Sequence, residues 1–533
     1  MSFAKTMLNK VAKTLSGLAM RVSGFQGWRA QALAVGAGAF GVLGQAPFHL
    51  WPFSLISLVV LVWLLDGAFA NKRPLRAGAA RAFFFAFGQF MAGLYWIGAA
   101  FISRGPDYIL LMPFALVLLM AGLALIWALA GALVLRFWTK DARRIAVFAL
   151  GFFAAEWVRG HAFTGFPWNL PGMVWTPGGA ISQSASLMGV WGLSLLTLFV
   201  FAAPAALVGG VHIRWWQALP TLAGGGAFLG LFVFGALHLG SAQNEMQENV
   251  RLRVVQAKID QREKWKPENR TTVLDHYLNL STASPLDQVS HVIWPEGALP
   301  TLLLEDGPAL DRISETFKDG PVLLTGITRR ERDEAGKTLY RNSLIALSFA
   351  NGLPRVETVY DKHHLVPFGE YMPLGGLFSA IGIKGLINFD DGFTPGPAPS
   401  SMKIDNLPTF SPQICYEIAY SRFTPTGEGR PDWILNVSND AWFGPTTGPY
   451  QHLDHARFRA IEEGVPVVRS VSSGIAGIID PYGRMVLQLG RNADRAGDAN
   501  LPKPLPITPF RRHGGAILFI LAGVIFSYRL SRA

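Results

Sequence analysis

Disulfide chemistry is closed to this chain, because Cys415 is the only cysteine among its 533 residues. A lone thiol has no partner for a bridge and too few sulfur neighbours for a thiolate-ligated metal site. Charge is scarce as well: 16% of the residues are Asp, Glu, Lys or Arg, against 50% hydrophobic and a mean hydropathy of +0.29. A soluble chain of this length carries more charge, so a membrane protein is the first expectation. Acids are nearly missing from the first 240 residues, which hold only Asp66, Asp107, Asp141 and Glu156 against sixteen Lys and Arg. Residues 241–510 hold 32 acids and 27 bases, so the formal charge of +11 belongs to the apolar part. That split suits loops flanking membrane spans and argues against a basic groove for nucleic acid. Internal repeats, Gly-rich phosphate loops and low-complexity tracts are also missing.

What is present first is a series of apolar runs. Residues 1–29 interleave Lys5, Lys10, Lys13, Arg21 and Arg29 with apolar side chains, which reads as an uncleaved basic tail and not as a signal peptide. Seven runs long enough to cross a bilayer follow within residues 30–240 and another at His513–Tyr528, about eight transmembrane helices in all. The loops Asn71–Arg81 and Arg136–Arg144 carry four bases each. The positive-inside rule puts them and the N-terminus in the cytoplasm, residues 241–510 on the far side, and the end of segment 511–533 back inside; Arg511 and Arg512 fall on the wrong side for that rule. Between the fifth and sixth runs, Gly160–Gly189 is rich in aromatics, including Phe163, Phe166, Trp168 and Trp175, and is expected at head-group level. Glu156 ends an apolar run, as a functional acid or as the partner of Arg159. Spans so poor in acids argue against a transporter.

From Asn244 the pattern changes to alternating strands and helices, a layered α/β domain of about 270 residues. Strands are expected at Leu252–Gln256, His291–Trp294, Val322–Thr328, Ser343–Ser348, Val356–Tyr360, Trp433–Val437 and Val467–Val471, and helices at Asn269–Ala283, Pro308–Lys318 and Gln451–Glu463. Cys415 follows a short strand, Leu407–Ile414, broken by prolines, on a turn into a helix where amides lower a thiol pKa. Glu296 and Lys362 follow two other strands in the same way. Ligand sites of α/β sheets collect at the carboxyl ends of strands, so the three are expected to converge. A carboxylate that takes the thiol proton, a thiolate that attacks an acyl carbon and an ammonium that holds the oxyanion form a coherent set.

These residues carry a resemblance. Trp294-Pro295-Glu296, Tyr360-Asp361-Lys362 with Leu365-Val366-Pro367-Phe368-Gly369-Glu370-Tyr371, and Ile414-Cys415-Tyr416-Glu417 resemble the Glu-Lys-Cys signatures of the nitrilase superfamily. The Pro-Phe-Gly-Glu-Tyr extension, Asn436-Val437-Ser438-Asn439-Asp440-Ala441-Trp442-Phe443 and the membrane region in front are similar to its membrane-integrated branch, the apolipoprotein N-acyltransferases. The resemblance implies an αββα sandwich fused to a polytopic helical domain in a bacterial inner membrane, with the catalytic domain periplasmic and both termini cytoplasmic. It implies no cofactor and no metal. The donor would be a phospholipid, typically phosphatidylethanolamine, and the acceptor the α-amine of a diacylglyceryl-cysteine apolipoprotein. Glu296 would be the general base, Lys362 the oxyanion stabiliser and Cys415 the nucleophile that forms a thioester. Glu370, Tyr416 and Glu417 would support them, and Trp265 and Trp442 would lie on substrate-contacting loops.

The unusually apolar stretch Met372–Phe389 reads as a mobile flap lying on the bilayer, or as ordinary core. His363 and His364 are adjacent on a strand and so point apart, which excludes joint metal ligation. His452 and His455 share a helix face without a third ligand, and His455 stands where the resembled family more often has an apolar residue. A membrane-anchored amidase, in which water replaces the amine, and an inactive lipid-binding scaffold are the competing readings.

Overall fold

The computed structural model describes residues 14–208, 215–373, 392–425 and 429–530. Two units emerge by contact: residues 1–241 with 508–533, and residues 242–507. The first unit is helical: α1 (Gly27–Gly41), α2 (Trp51–Phe69), α3 (Pro74–Gly93), α4 (Met112–Arg136), α5 (Arg144–His161), α6 (Ala185–Ala202) and α7 (Trp215–Gly240), with a C-terminal helix at Ala516–Leu530. Among the described residues, four stretches are long and apolar enough to cross a membrane: α2, α4, Ile181–Leu207 and Ala218–Gly240. The pair Pro74–Gly93 and Tyr95–Ser103, bent by 53°, makes a fifth if counted as one span. The expectation of about eight rests on the shorter apolar helices, such as Ala516–Leu530 with its 15 residues, which fall below that length.

The aromatic loop after α5 corrects the expectation of a surface belt. Trp168, Leu170, Met173 and Trp175 are buried, and Phe163 alone of its large apolar side chains stands fully exposed. The cause is a polar knot. Arg159 pairs with Glu156 and donates to the carbonyls of Phe166 and Trp168, while Trp127 Nε1 donates to Glu156 at 2.7 Å. Asn169 Nδ2 reaches the Gly93 carbonyl at 3.2 Å, and Trp175 Nε1 reaches Thr197 Oγ1 at 2.9 Å. Irregular backbone inside a helical bundle survives only when its carbonyls are met in this way. Glu156 is therefore the partner of Arg159, the structural alternative of the two.

The second unit is a sandwich of two six-stranded sheets. In order across the first sheet lie β12 (Arg495–Pro502), β1 (Met246–Gln256), β2 (His291–Ile293), β3 (Val322–Arg332), β4 (Thr338–Ala350) and β5 (Leu353–Asp361). Across the second lie β11 (Met485–Gln488), β10 (Gly477–Ile479), β9 (Val467–Ser472), β8 (Trp433–Asn439), β7 (Leu407–Ile414) and β6 (Met402–Ile404). Alternation along each strand sends one set of side chains inward and the other outward. Leu252, Val254, Ile293, Leu324 and Leu344 meet Phe410, Ile414, Leu435, Val437 and Val468 between the sheets. Val255, Val292, Leu323 and Ile345 face outward onto α8 (Arg270–Ser281) and α9 (Gly307–Phe317). Ile434, Val467 and Ile479 face α10 (Gly448–Glu463). These are the αββα layers.

Two local expectations change. β7 is unbroken despite Pro408 and Pro412, since β6 begins opposite Phe410 and leaves Pro412 beside one neighbour only, where a missing N–H is tolerated. His363 and His364 lie in the bend after β5 and not on a strand. Of the apolar stretch Met372–Phe389, all but Met372 and Pro373 lies outside the described residues, as do residues 1–13 of the N-terminal tail.

Replacing Arg159 with Met strips two buried carbonyls of their donor and leaves the Glu156 carboxylate unpaired. Removing one partner of a buried pair costs about 3–5 kcal/mol, so the full chain in detergent micelles is expected to melt several degrees lower. Adding Glu156→Gln to Arg159→Met removes the stranded charge and is expected to recover part of the loss.

Candidate active site

In the first sheet β1, β2 and β3 run parallel, β4 runs against β3, and β5 runs against β4, so β2 and β5 end on the same side. In the second sheet β7, β8 and β9 are parallel. Glu296 follows β2, Lys362 follows β5 and Cys415 follows β7, and the three meet across the two sheets.

Glu296 is held by its surroundings. Oε1 accepts from Asn342 Nδ2 at 2.7 Å and Oε2 from the Asn439 backbone N–H at 2.8 Å. Below it passes β3, where a Cβ on Gly326 would stand 2.5 Å from the Glu296 Cα; glycine is what lets the strand run so close. Lys362 Nζ lies 2.8 Å from Glu370 Oε1 and 3.8 Å from Glu296 Oε1, and its side chain is 1% exposed. Glu370 also accepts from Asn342 Nδ2 at 2.9 Å and from the Val366 N–H at 2.8 Å. Asn342 thus ties the two carboxylates together through one amide nitrogen.

Burial pushes the Glu296 carboxyl above the usual carboxylate range, with Lys362 opposing and the negative charge of Glu370 adding to the rise. Burial works to lower the Lys362 ammonium, but Glu370 and then Glu296 outweigh it and hold the charge on. The Cys415 thiol is pushed up, first by burial and then by the Glu296 charge, against the pull of Lys362. The segment after the cysteine is a 3-10 turn of five residues, Cys415–Ala419, too short for a substantial dipole to oppose that rise.

Cys415 has a φ of +54°. Left-handed backbone costs a residue with a side chain about 1–2 kcal/mol and recurs at strand-to-helix turns that present a nucleophile. Glu417 fastens this turn to the lysine loop. Its carboxylate accepts from the N–H of Ile414 at 2.7 Å, from the N–H groups of His363 and His364 at 2.8 and 2.9 Å, and from Tyr360 Oη at 3.0 Å. Burial pushes its pKa up to about 7 even so. The Tyr416 ring packs edge-on to Tyr420 at 5.1 Å. Trp265 and Trp442 are exposed by 52% and 36%. Trp265 follows the short helix Gln261–Lys264, and Trp442 sits in the turn Asp440–Phe443.

Several site residues escaped the sequence reading. Asn342 lies mid-strand, with no motif around it. Lys264 is buried and donates to the carbonyl of Gly297, next to Glu296; burial lowers its pKa to about 8. The only signal for it was its place beside Trp265. Asn439 contributes a backbone N–H, which any residue supplies.

Comparison with known proteins bears on both units. Residues 37–203 match the model of the apolipoprotein N-acyltransferase N-terminal domain, and residues 251–502 match that of carbon-nitrogen hydrolases. A protein of Rhodopseudomonas palustris named apolipoprotein N-acyltransferase is 39% identical over 516 residues, covering 95% of this chain and 96% of its own. Proteins of the same name from Bradyrhizobium diazoefficiens and Caulobacter vibrioides are each 38% identical, covering 93% of this chain and 94% of theirs. With that similarity running nearly end to end, the chain belongs to the apolipoprotein N-acyltransferase family.

Proposed function

We propose that this chain N-acylates lipoproteins, moving an acyl chain from a membrane phospholipid to the N-terminal α-amine of a diacylglyceryl-cysteine apolipoprotein through a thioester on Cys415. What carries the reading is the buried set at the strand ends: Lys362 between Glu296 and Glu370, with the Cys415 thiol in the field of Glu296 and Lys362. Glu296 takes the thiol proton as sulfur attacks the ester carbon at the sn-1 position. The Lys362 ammonium holds the oxyanion of the tetrahedral intermediate. Collapse breaks the carbon–oxygen bond, the proton passes from Glu296 to the departing glycerol oxygen, and a lysophospholipid leaves. The acceptor amine then attacks the thioester, gives its proton to Glu296, and the sulfur departs and is reprotonated. Phosphatidylethanolamine is the proposed donor.

Glu370 fixes Lys362 by charge and hydrogen bond, Glu417 holds the cysteine turn against the lysine loop, and Tyr416, next in the chain to Cys415, packs its ring on Tyr420. Trp265 and Trp442 offer exposed rings to the incoming substrates. The apolar helices suit a bacterial inner membrane, and the basic loops favour cytoplasmic termini with residues 241–510 periplasmic. Protease added to intact spheroplasts is expected to cut within residues 242–507 and to spare the loop Arg136–Arg144; the reverse pattern would invert the topology.

Intact-mass analysis after incubation with phosphatidylethanolamine vesicles is expected to show one acyl adduct, removed by hydroxylamine and missing in Cys415→Ala. Label from the donor should then reach a lipopeptide amine. Free fatty acid as the sole product would instead mark a hydrolase.

The two charged partners are expected to separate thiol ionisation from turnover. Glu296→Gln removes a charge that raises the thiol pKa, so alkylation of Cys415 by iodoacetamide at pH 8 should speed up. Acyl transfer should meanwhile fall by about 10²–10⁴-fold through loss of the base. Lys362→Met should slow both. Acyl transfer undiminished in Glu296→Gln would remove Glu296 from the role of base.

A further inference from the structure

The steps above leave unused a polar cluster on the far side of the cysteine turn. His452, Asp440, Arg469, Asn436 and Ser438 are all nearly inaccessible to solvent. His452 Nε2 lies 3.2 Å from the Cys415 carbonyl oxygen, and Asn436 Nδ2 lies 3.4 Å from the same oxygen. A carbonyl only accepts, so Nε2 carries a proton in this contact. Arg469 fixes the orientation of Asn436: its Nη1 donates to Asn436 Oδ1, which turns the amide nitrogen toward the carbonyls of Gln413 and Cys415.

The remaining contacts hold the imidazole. His452 Nδ1 stands 2.8 Å from Asp440 Oδ1, an acceptor, and 2.9 Å from Arg469 Nη2, a donor. The ring is therefore accommodated neutral or charged without moving the Nε2 proton. Asp440 is braced by Arg469 Nη2 at 2.7 Å and by the Ser438 hydroxyl at 2.8 Å. Although burial opposes it, Arg469 and His452 keep that carboxyl down at about 2. Asp440 also follows Asn439, whose N–H grips Glu296. One turn of chain thereby touches the nucleophile through His452 and the acid through Asn439.

We infer that His452, oriented by Asp440 and Arg469, is a positioning residue for the acyl-transfer reaction: its Nε2–H clamps the Cys415 carbonyl and so holds the nucleophile in its left-handed conformation, aimed at the acyl carbon. The inference rests on the proposed role of Cys415 and adds a residue to it. A cluster that served folding alone would affect stability and leave the aim of the sulfur unchanged. A clamp acts on the step in which sulfur meets carbon, where small misplacements weigh heavily.

The test is single-turnover acylation of Cys415 in the full chain, in micelles with phosphatidylethanolamine, read by intact mass with melting recorded in parallel. His452→Leu is expected to lower the maximal acylation rate about 10- to 100-fold with the half-saturating phospholipid concentration unchanged within about twofold. His452→Gln places an amide donor near the same carbonyl and should recover much of that loss. Gly474→Ala tests the clamp without touching the ring, because its Cβ would stand 2.5 Å from Asp440 Oδ2; it should lower the same rate. Wild-type rates in folded His452→Leu and Gly474→Ala overturn the inference. So does a His452→Leu deficit that Gln does not relieve, or collapse of His452→Leu while His452→Gln and Gly474→Ala acylate normally, which assigns the cluster to stability. Acyl transfer surviving Cys415→Ala would instead defeat the thioester reading itself, a result distinct from any of these.

Discussion

One buried ammonium sets the terms for the catalytic unit. Lys362 is sealed from water with a carboxylate on either side, and burying such a group is costly unless opposite charge and hydrogen bonds surround it. Burial and then the Glu296 charge push the Cys415 thiol up, and burial with the Glu370 charge raises the Glu296 carboxyl, in both cases against the pull of Lys362. In the proposed reaction, handing the proton from sulfur to Glu296 moves the negative charge without changing its amount. The site can therefore make a nucleophile at the moment of attack without importing an ion.

The fold supplies this arrangement through strand direction. Strand direction brings β2, β5, β7 and β8 to an end on one side, where Glu296, Lys362 and Cys415 follow their strands and Asn439 closes β8. Local exceptions make the fit: Gly326 lets β3 slide beneath Glu296, and a left-handed cysteine lifts its sulfur off the chain. Helices on both outer faces exclude water from the sheets, which leaves the strand ends as the place where polar chemistry is displayed.

Much of this was readable in the residues. Alternating apolar positions give Leu252–Gln256 as a strand because a sheet between two layers needs that period. Glu296, Lys362 and Cys415 stood out because each follows such a strand. β6, β10, β11 and β12 were not readable: two are three residues long, and β12 mixes Arg495, Asp498 and Asn500 with small residues and a proline, so its pairing with β1 decides its shape more than its own pattern does. The loop with Trp168 and Trp175 misled for a related reason. Aromatic content tells that rings avoid water, and only the Arg159 contacts to distant carbonyls tell which apolar phase receives them. Asn342 and the Asn439 N–H were beyond reach because hydrogen-bond geometry across strands leaves no trace in local sequence.

Glu417 sits where two loops from different sheets would otherwise drift independently. A single carboxylate gripping amides just before Cys415 and just after Lys362 makes sulfur and ammonium travel as one rigid piece. Donors of unlike length or head group then have to be absorbed by the chain outside that knot, and chemical competence is decoupled from substrate breadth.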